Sequence, residues 1–412
     1  MDLSFRGGAG EIGRSAVLID DSLLLDYGMA ASTPPRYPVG EVDPDAVVVS
    51  HGHLDHAGAV PALLSGDARP PVHWTPPTRD LALTLAEDTL KLHGHTPRCP
   101  FTETQVARVT EVSEPHGYGE SFEAAGYEVT LFDAGHIPGS AHVLVDDGDT
   151  RLLYTGDFHT DRQRLVSPST ARPAADVVLT ESTYADRTHT PRDALEGRFV
   201  ERLRSTTRQG GTAIVPAFAI GRTQEVLMVL AATDVDCYLD GMGQRVTDIL
   251  GRHDDFLRDP EALRRAKANA RYVDGRDGQR ERIAAENTVV VTTSGMLSGG
   301  PAMTYVPAVR DHPVNTVALT GYQVEGTPGR ELVETGRAEL DGRVLPVSAT
   351  VEQFDFSAHA DRAGLSSFLA EYRDSEVLAV HGDDTGGFAD RLRGAGFDAR
   401  APGVGDTVSV GP

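Results

Sequence analysis

The stretch that decides the fold runs Ala46-Val47-Val48-Val49-Ser50-His51-Gly52-His53-Leu54-Asp55-His56. Its apolar, β-branched start, Ala46–Ser50, predicts a buried strand. The strand gives way at once to three imidazoles and a carboxylate. In a tight loop leading to a helix, His51 and His53 can face one metal ion while Asp55 and His56 turn to a second. Neutral imidazole and carboxylate suit zinc, at about 2.0–2.2 Å. An ordinary polar connection gives no reason for three histidines in six positions.

Two half-sites need further donors, and other strand ends offer them. Asp133-Ala134-Gly135-His136 supplies a histidine and Thr155-Gly156-Asp157-Phe158 an aspartate. Asp157 is the natural bridge, because a carboxylate can give one oxygen to each metal. The last part offers His359 in Ser357-Ala358-His359-Ala360-Asp361, and His381 after Glu376–Val380. One could complete the second metal site and the other act as general acid; periodicity leaves the choice open. Asp26, after Leu23–Leu25, is read as accepting a hydrogen bond from a ligand histidine, with a simple turn as the alternative. Glu181 could orient a catalytic histidine, with a helix N-cap role for its neighbours Ser182-Thr183 as the plainer alternative for this turn. His73, His93, His95, His116, His189, His253 and His312 lack such company and read as surface or structural. His142 and His159 fall near the donors but outside the metal shell.

Composition bounds the class. The 412 residues suit two domains, or one inserted in another. No apolar run reaches the ~20 residues of a membrane span, and the first residues lack a signal-peptide layout, so a cytoplasmic protein with no membrane partner is expected. The net charge is −23, and only Lys91 and Lys267 are lysines, leaving 36 of the 38 bases as arginine. Acid excess by itself argues against a nucleic-acid partner, since phosphate contacts need cations. The favoured reading is a carboxylate surface adapted to concentrated salt, where self-repulsion is screened, as in a halophilic archaeon. Cys99 and Cys237 lie far apart and read as two buried free thiols, which excludes cysteine-ligated zinc.

Strands expected at Met1–Phe5, Ser15–Ile19, Ser22–Asp26, Tyr127–Phe132, His142–Val145, Arg151–Thr155 and Val177–Thr180 end in polar clusters. That is the layout of an α/β sandwich with its site at the strand ends. A helix-like AGAVPALLSG follows the histidine loop, and helical periodicity recurs at Thr78–His93. From about Asp186 a βαβ rhythm sets in: helix Asp193–Gln209, strand Thr212–Pro216, helix Arg222–Ala232 and strand Asp236–Leu239. An Arg-rich helical segment follows near Asp254–Ala270, then strands Thr288–Thr292 and Thr316–Leu319. Residues 186–357 therefore read as a parallel-sheet domain inserted between residues 1–185 and 358–412.

With these residues in hand, a resemblance is plain. Asp26, HGHLDH at 51–56, His136 and Asp157 resemble the first four motifs of the metallo-β-lactamase fold, an αββα sandwich. Glu181 in ESTY, His359 in SAHAD and His381 in VHGD resemble motifs A, B and C of its β-CASP subgroup. PAFAIGRTQE at 216–225, TTSGMLSGG at 292–300 and LTGYQVEGTPGR at 319–330 are further phrases of that subgroup. The chain is similar to archaeal nucleases related to the cleavage and polyadenylation specificity factor, of the shorter type without amino-terminal KH domains. The resemblance implies two Zn²⁺, one on His51, His53 and His136, the other on Asp55, His56 and His381, with Asp157 bridging. Asp55 then serves chemistry as well as ligation, and His359, supported by Glu181, assists the leaving group. It implies a single-stranded RNA substrate, since the DNA-acting branch typically carries valine at motif C. Endonuclease and 5′→3′ exonuclease action both stay open, as do a homodimer and other RNA-processing factors as partners. Gly221-Arg222, Ser294-Gly295 and Ser357 are candidate phosphate contacts, with turn geometry as the plainer reading of the first two. The rivals are a single-stranded DNA nuclease, a non-nuclease hydrolase of the same fold, which would have a short lid in place of the insertion, and an inactive binding subunit, which would have lost ligands.

Overall fold

A computed structural model describes all residues except Thr33, Pro97, Asp341 and Pro412. The chain forms two compact units. The first comprises Met1–Asp161, Pro168–Thr188 and Ala358–Pro412, and the second Arg162–Ser167 and His189–Ser357.

The first unit holds two seven-stranded sheets. One runs, in spatial order, Thr407–Ser409, Asp2–Gly7, Ala16–Ile19, Leu23–Leu25, Ala46–Val48, Val72–Trp74 and Ser113–Pro115. The other runs Asp398–Arg400, Glu376–Val380, Val177–Glu181, Arg151–Tyr154, Ala141–Asp146, Tyr127–Asp133 and Ser121–Ala124. Leu3, Phe5, Val17 and Val48 of one sheet share a core with Val129, Val143, Leu152 and Leu179 of the other. Outer faces are covered too. Phe368 and Leu392, on the helices Arg362–Leu369 and Thr385–Gly394, pack with Val178 and Val377. Ala82 and Val109, on Pro76–His93 and Glu103–Glu111, pack with Val47 and Val72. The result is an αββα sandwich. It explains why Ala46–Val48 and Val177–Glu181 read as continuous apolar runs, since both faces of those strands are buried.

The second unit is built on a six-stranded sheet in the order Ala270–Tyr272, Cys237–Asp240, Val289–Thr292, Ala213–Pro216, Thr316–Leu319, Thr350–Gln353, with every neighbouring pair parallel. A hairpin of Arg337–Leu340 and Arg343–Pro346 stands apart from it.

Several local expectations need correction. Val60–Leu64 is a 3₁₀ turn rather than an α-helix, with Pro61 in its first turn. The helix expected from Thr78 starts at Pro76, because prolines are tolerated in a first turn and Thr75 caps it by accepting from the Thr78 N–H. The Arg-rich segment is α-helical only over Pro260–Asn269, where Pro260 and the Asp259 cap set the start. Cys99 is half-buried, and only Cys237 is fully buried.

Candidate metal centre

The site is assembled in the first unit by parallel pairing. Val177–Glu181 lies between Arg151–Tyr154 and Glu376–Val380, parallel to both. Three carboxyl ends therefore finish at one edge. Glu181 is in register with Val380, so His381 follows beside it, and Asp157 follows the third strand. In the other sheet Ala46–Val48 ends at the same kind of edge and delivers Ser50 through His56. Residues more than 300 positions apart meet because parallel strands share a direction.

Two groups of donors result. His51 Nε2 is 3.2 Å from His53 Nδ1, which is 3.0 Å from His136 Nε2. Asp157 Oδ2 lies 3.5 Å from His51 Nε2 and 3.8 Å from His136 Nε2. Four donors about 2.0–2.2 Å from a tetrahedral zinc sit roughly 3.3–3.6 Å apart, so this quartet fits such an ion. In the second group His381 Nε2 is 3.3 Å from both Asp55 Oδ2 and His56 Nε2. Asp157 Oδ1 stands 3.4 Å from His56 Nε2 and 3.3 Å from His381 Nδ1. Asp157 thus turns one oxygen to each group. Its Oδ1 is buried and makes no hydrogen bond, an arrangement that a cation satisfies and an empty apolar pocket does not. Both donor groups can hold a metal ion. The set is all nitrogen and oxygen, which suits a divalent cation.

The surroundings aim these donors. Asp26 Oδ2 is 2.7 Å from His56 Nδ1 and accepts from the Tyr154 hydroxyl (2.7 Å) and Ser50 Oγ (2.8 Å), while Oδ1 accepts from the Ser50 N–H. That fixes the ring so that Nε2 faces the cluster. His136 Nδ1 is held by the Ala358 carbonyl at 2.8 Å. Thr183 Oγ1 is 3.1 Å from His381 Nδ1. Asp26 and His381 both have positive φ, +57° and +46°, a strain that clusters at functional sites. Burial holds the imidazoles of His51 and His136 well below their ordinary pKa, and takes His53 down to about 4, so all three present neutral, ligating nitrogen.

His359 differs from the rest. Its Nδ1 lies 2.9 Å from Glu181 Oε2, and Glu181 Oε1 accepts from the Phe158 N–H at 2.8 Å. Burial opposes charge on His359, but the Glu181 and Asp157 carboxylates outweigh it and push its pKa up to about 9. It is therefore an imidazole outside both donor groups that a dedicated carboxylate holds protonated; His56 and His381, which nearby carboxylates also raise, belong to the second group.

Sequence reasoning missed Tyr154, saw Thr183 only as a possible helix cap, and placed His159 near the donors but outside the metal shell, where its Nδ1 is 2.8 Å from the His359 carbonyl. Ser182-Thr183 does not cap a helix. Ser182 donates to the Val380 carbonyl and Thr183 braces His381. His142 joins the Thr155 carbonyl to Ser169 and stays outside the cluster. His73, mid-strand and buried, pairs with His116 at 2.9 Å. Arg222, Ser294, Gly295 and Ser357 lie in the second unit. There Ser294 Oγ accepts from the Ser298 N–H, and a Cβ on Gly295 would meet the Phe218 nitrogen at 2.9 Å. Both therefore have local structural work.

Comparison with known proteins agrees with this geometry. Residues 9–183 match the metallo-β-lactamase superfamily, 223–332 the β-CASP domain, and 344–402 a domain described as a Zn-dependent metallo-hydrolase RNA specificity domain. The chain is 36% identical to RNase aCSPSF2 of Saccharolobus solfataricus, over 99% of this chain and 85% of that one. It belongs to the β-CASP metallo-β-lactamase family. A probable RNase, MJ4, of Methanocaldococcus jannaschii is 32% identical over the full length of both chains. Transcription termination factor FttA of Thermococcus kodakarensis is 33% identical over 92% of this chain and 66% of its own length. A crystal structure of a protein of unknown function from Enterococcus faecalis V583 shares the fold, with a TM-score of 0.60 at 12% identity over 99% of each chain. The two donor groups and Asp157 gather residues that could hold a divalent metal ion. Among the described residues no helix is long and apolar enough to cross a membrane.

Proposed function

We propose that this β-CASP protein is a two-zinc ribonuclease hydrolysing phosphodiester bonds of single-stranded RNA, in 3′-end processing, maturation or decay. The observation that carries it is Asp157, whose two oxygens face two separate donor groups. His51, His53 and His136 would hold one ion and Asp55, His56 and His381 the other, with Asp157 between them. When bound, the pair supplies an activated water nucleophile at neutral pH and neutralises charge building on the phosphoryl oxygens. His359, kept protonated by Glu181, holds a proton for the departing ribose oxygen, so the products carry a 5′ phosphate and a 3′ hydroxyl. Asp26 keeps His56 aimed. Residues 186–357 form the inserted β-CASP domain of this reading, and Arg222, Ser294, Gly295 and Ser357 are its contacts to the strand. Relatives named as ribonucleases in Saccharolobus solfataricus and Methanocaldococcus jannaschii support RNA over DNA. The acid excess fits an enzyme working in concentrated salt, where phosphate contacts through surface cations are weak.

The test is incubation of 5′-labelled and internally labelled single-stranded RNA, with matched DNA, at high salt, with and without chelator. RNA cleavage that chelator abolishes and zinc restores is expected. Mononucleotides mark exonuclease action and discrete internal fragments endonuclease action. Cleavage indifferent to chelator, or of DNA alone, sinks the proposal.

A further inference from the structure

The loop Gly8-Ala9-Gly10-Glu11-Ile12-Gly13 joins the strands Asp2–Gly7 and Ala16–Ile19, and nothing above gives it work. Gly8, Gly10 and Gly13 all have positive φ. Alternation of such residues with ordinary ones turns successive N–H groups to one side, the geometry of an anion-binding nest. None of the six N–H groups from Gly8 to Gly13 finds an acceptor among the described residues. Gly8, Ala9 and Gly13 are nevertheless buried. Buried main-chain donors are nearly always paired, so this run is a conspicuous exception.

Three further observations point to an anion. Ser15 Oγ, on a residue 4% exposed, is buried without a hydrogen-bond partner. It lies 2.9 Å from where a Cβ on Gly8 would stand, so only glycine there leaves the hydroxyl facing the loop. Glu11 is ion-paired to both Arg14 (2.6 Å) and Arg36 (2.9 Å), and two guanidiniums on one carboxylate leave the triad at net +1. Finally, both ends of the loop are fastened to the metal centre. The His381 N–H donates to the Gly8 carbonyl at 2.7 Å, and the Ser15 N–H donates to the Asp55 carbonyl at 2.8 Å.

We propose that Gly8–Gly13 is a cradle for a phosphodiester group of the RNA strand, bound by main-chain N–H groups and the Ser15 hydroxyl beside the metal centre. This rests on the ribonuclease reading and deepens it. It also resolves how a chain with two lysines and a charge of −23 grips a polyanion. Neutral main-chain donors bind phosphate without surface cations, and unlike cationic contacts they release few counterions, so salt costs them little.

The test compares Gly10→Asp with Gly10→Asn in the zinc-loaded chain. Gly10 is exposed, a Cβ there meets only Thr385 Oγ1 at 3.9 Å, and both replacements tolerate the left-handed conformation. They differ chiefly in charge. Affinity is read by anisotropy of a fluorescein-labelled, phosphorothioate-linked RNA, which resists hydrolysis, with thermal unfolding and zinc content as controls. Gly10→Asp should weaken binding about tenfold relative to Gly10→Asn. Equal affinities of the two variants overturn the cradle, as does a failure of the unsubstituted chain to bind the strand. A chain that binds with the expected contrast but shows no chelator-sensitive cleavage sinks the nuclease reading and leaves the cradle standing.

Discussion

Asp157 and Asp240 invite comparison. Asp157 follows a strand in the first unit and Asp240 ends one in the second, and each is 2% exposed. Asp240 is answered by its own neighbourhood: the Arg280 guanidinium donates through Nε at 2.7 Å and through an Nη at 3.1 Å, and the Tyr305 hydroxyl donates at 3.0 Å. Asp157 is ringed by imidazoles, and its Oδ1 receives no hydrogen bond. Glu225, also buried, behaves like Asp240 and accepts the N–H groups of Arg164 and Leu165. A buried carboxylate whose protein partners neutralise it is holding the fold together. One left with an open oxygen that no arginine or hydroxyl answers is waiting for a cation.

Matched substitutions test that contrast most strongly. Asp157→Asn should empty the metal centre and cut RNA cleavage at least about 1,000-fold, roughly 4 kcal/mol of transition-state stabilisation. Asp240→Asn should leave zinc content and cleavage intact and cost about 2 kcal/mol of stability. That is less than a fully buried pair loses, because Arg280 keeps 31% of its side chain in solvent. Zinc analysis and denaturant melts of the two variants decide it. Zinc loss in both, or in neither, would erase the distinction.

His359→Ala comes next. A proton donor outside both donor groups should cost 10²–10⁴-fold in rate, a range of order typical for general acids, with both zincs retained. An emptied site in that variant would make His359 a ligand. Glu181→Gln should be milder, about 10–100-fold, as for partners that orient a working side chain. Removing that carboxylate lowers the pKa of His359 from about 9, so less of it is protonated as pH rises. The alkaline limb of the rate profile should therefore move to lower pH. An unmoved limb would detach Glu181 from His359.

How much of this was legible beforehand follows from the same contrast. The loop at His51–His56 announces itself because its donors are local and follow an apolar run. His136, Asp157 and His381 could be named because each follows a strand. The residues alone left His359 and His381 interchangeable, because their placement depends on register: Glu181 opposite Val380, and a bridge between Tyr184 and Asp361. Tyr154 and Thr183 stayed hidden because they act across 128 and 198 positions. A tyrosine inside an apolar strand looks like core until its partner is seen. Edge strands such as Ser113–Pro115 and Thr350–Gln353 were missed because, short and only partly buried, they lack the apolar pattern that marks central ones. The Gly8–Gly13 loop carries no side-chain signal, since its donors belong to the main chain.

The smallest expected effect separates the two sides of the comparison most cleanly. Tyr154 donates to Asp26 Oδ2 at 2.7 Å and Tyr305 to Asp240 Oδ2 at 3.0 Å, both from buried rings to buried carboxylates. Removing either hydroxyl deprives a charged acceptor of one donor, worth about 1.5–3 kcal/mol, so Tyr154→Phe and Tyr305→Phe should lose similar stability. Their effects on metal should differ. Asp26 is what aims His56, so loosening it should weaken zinc binding about tenfold, the low end for partners that orient a ligand. Asp240 aims no donor of the metal centre, so Tyr305→Phe should hold zinc as tightly as the unsubstituted chain. Competition against a zinc-binding dye measures both. Equal zinc affinities in the two variants, at equal loss of stability, would mean that Asp26 stabilises the sandwich without tuning its metal centre.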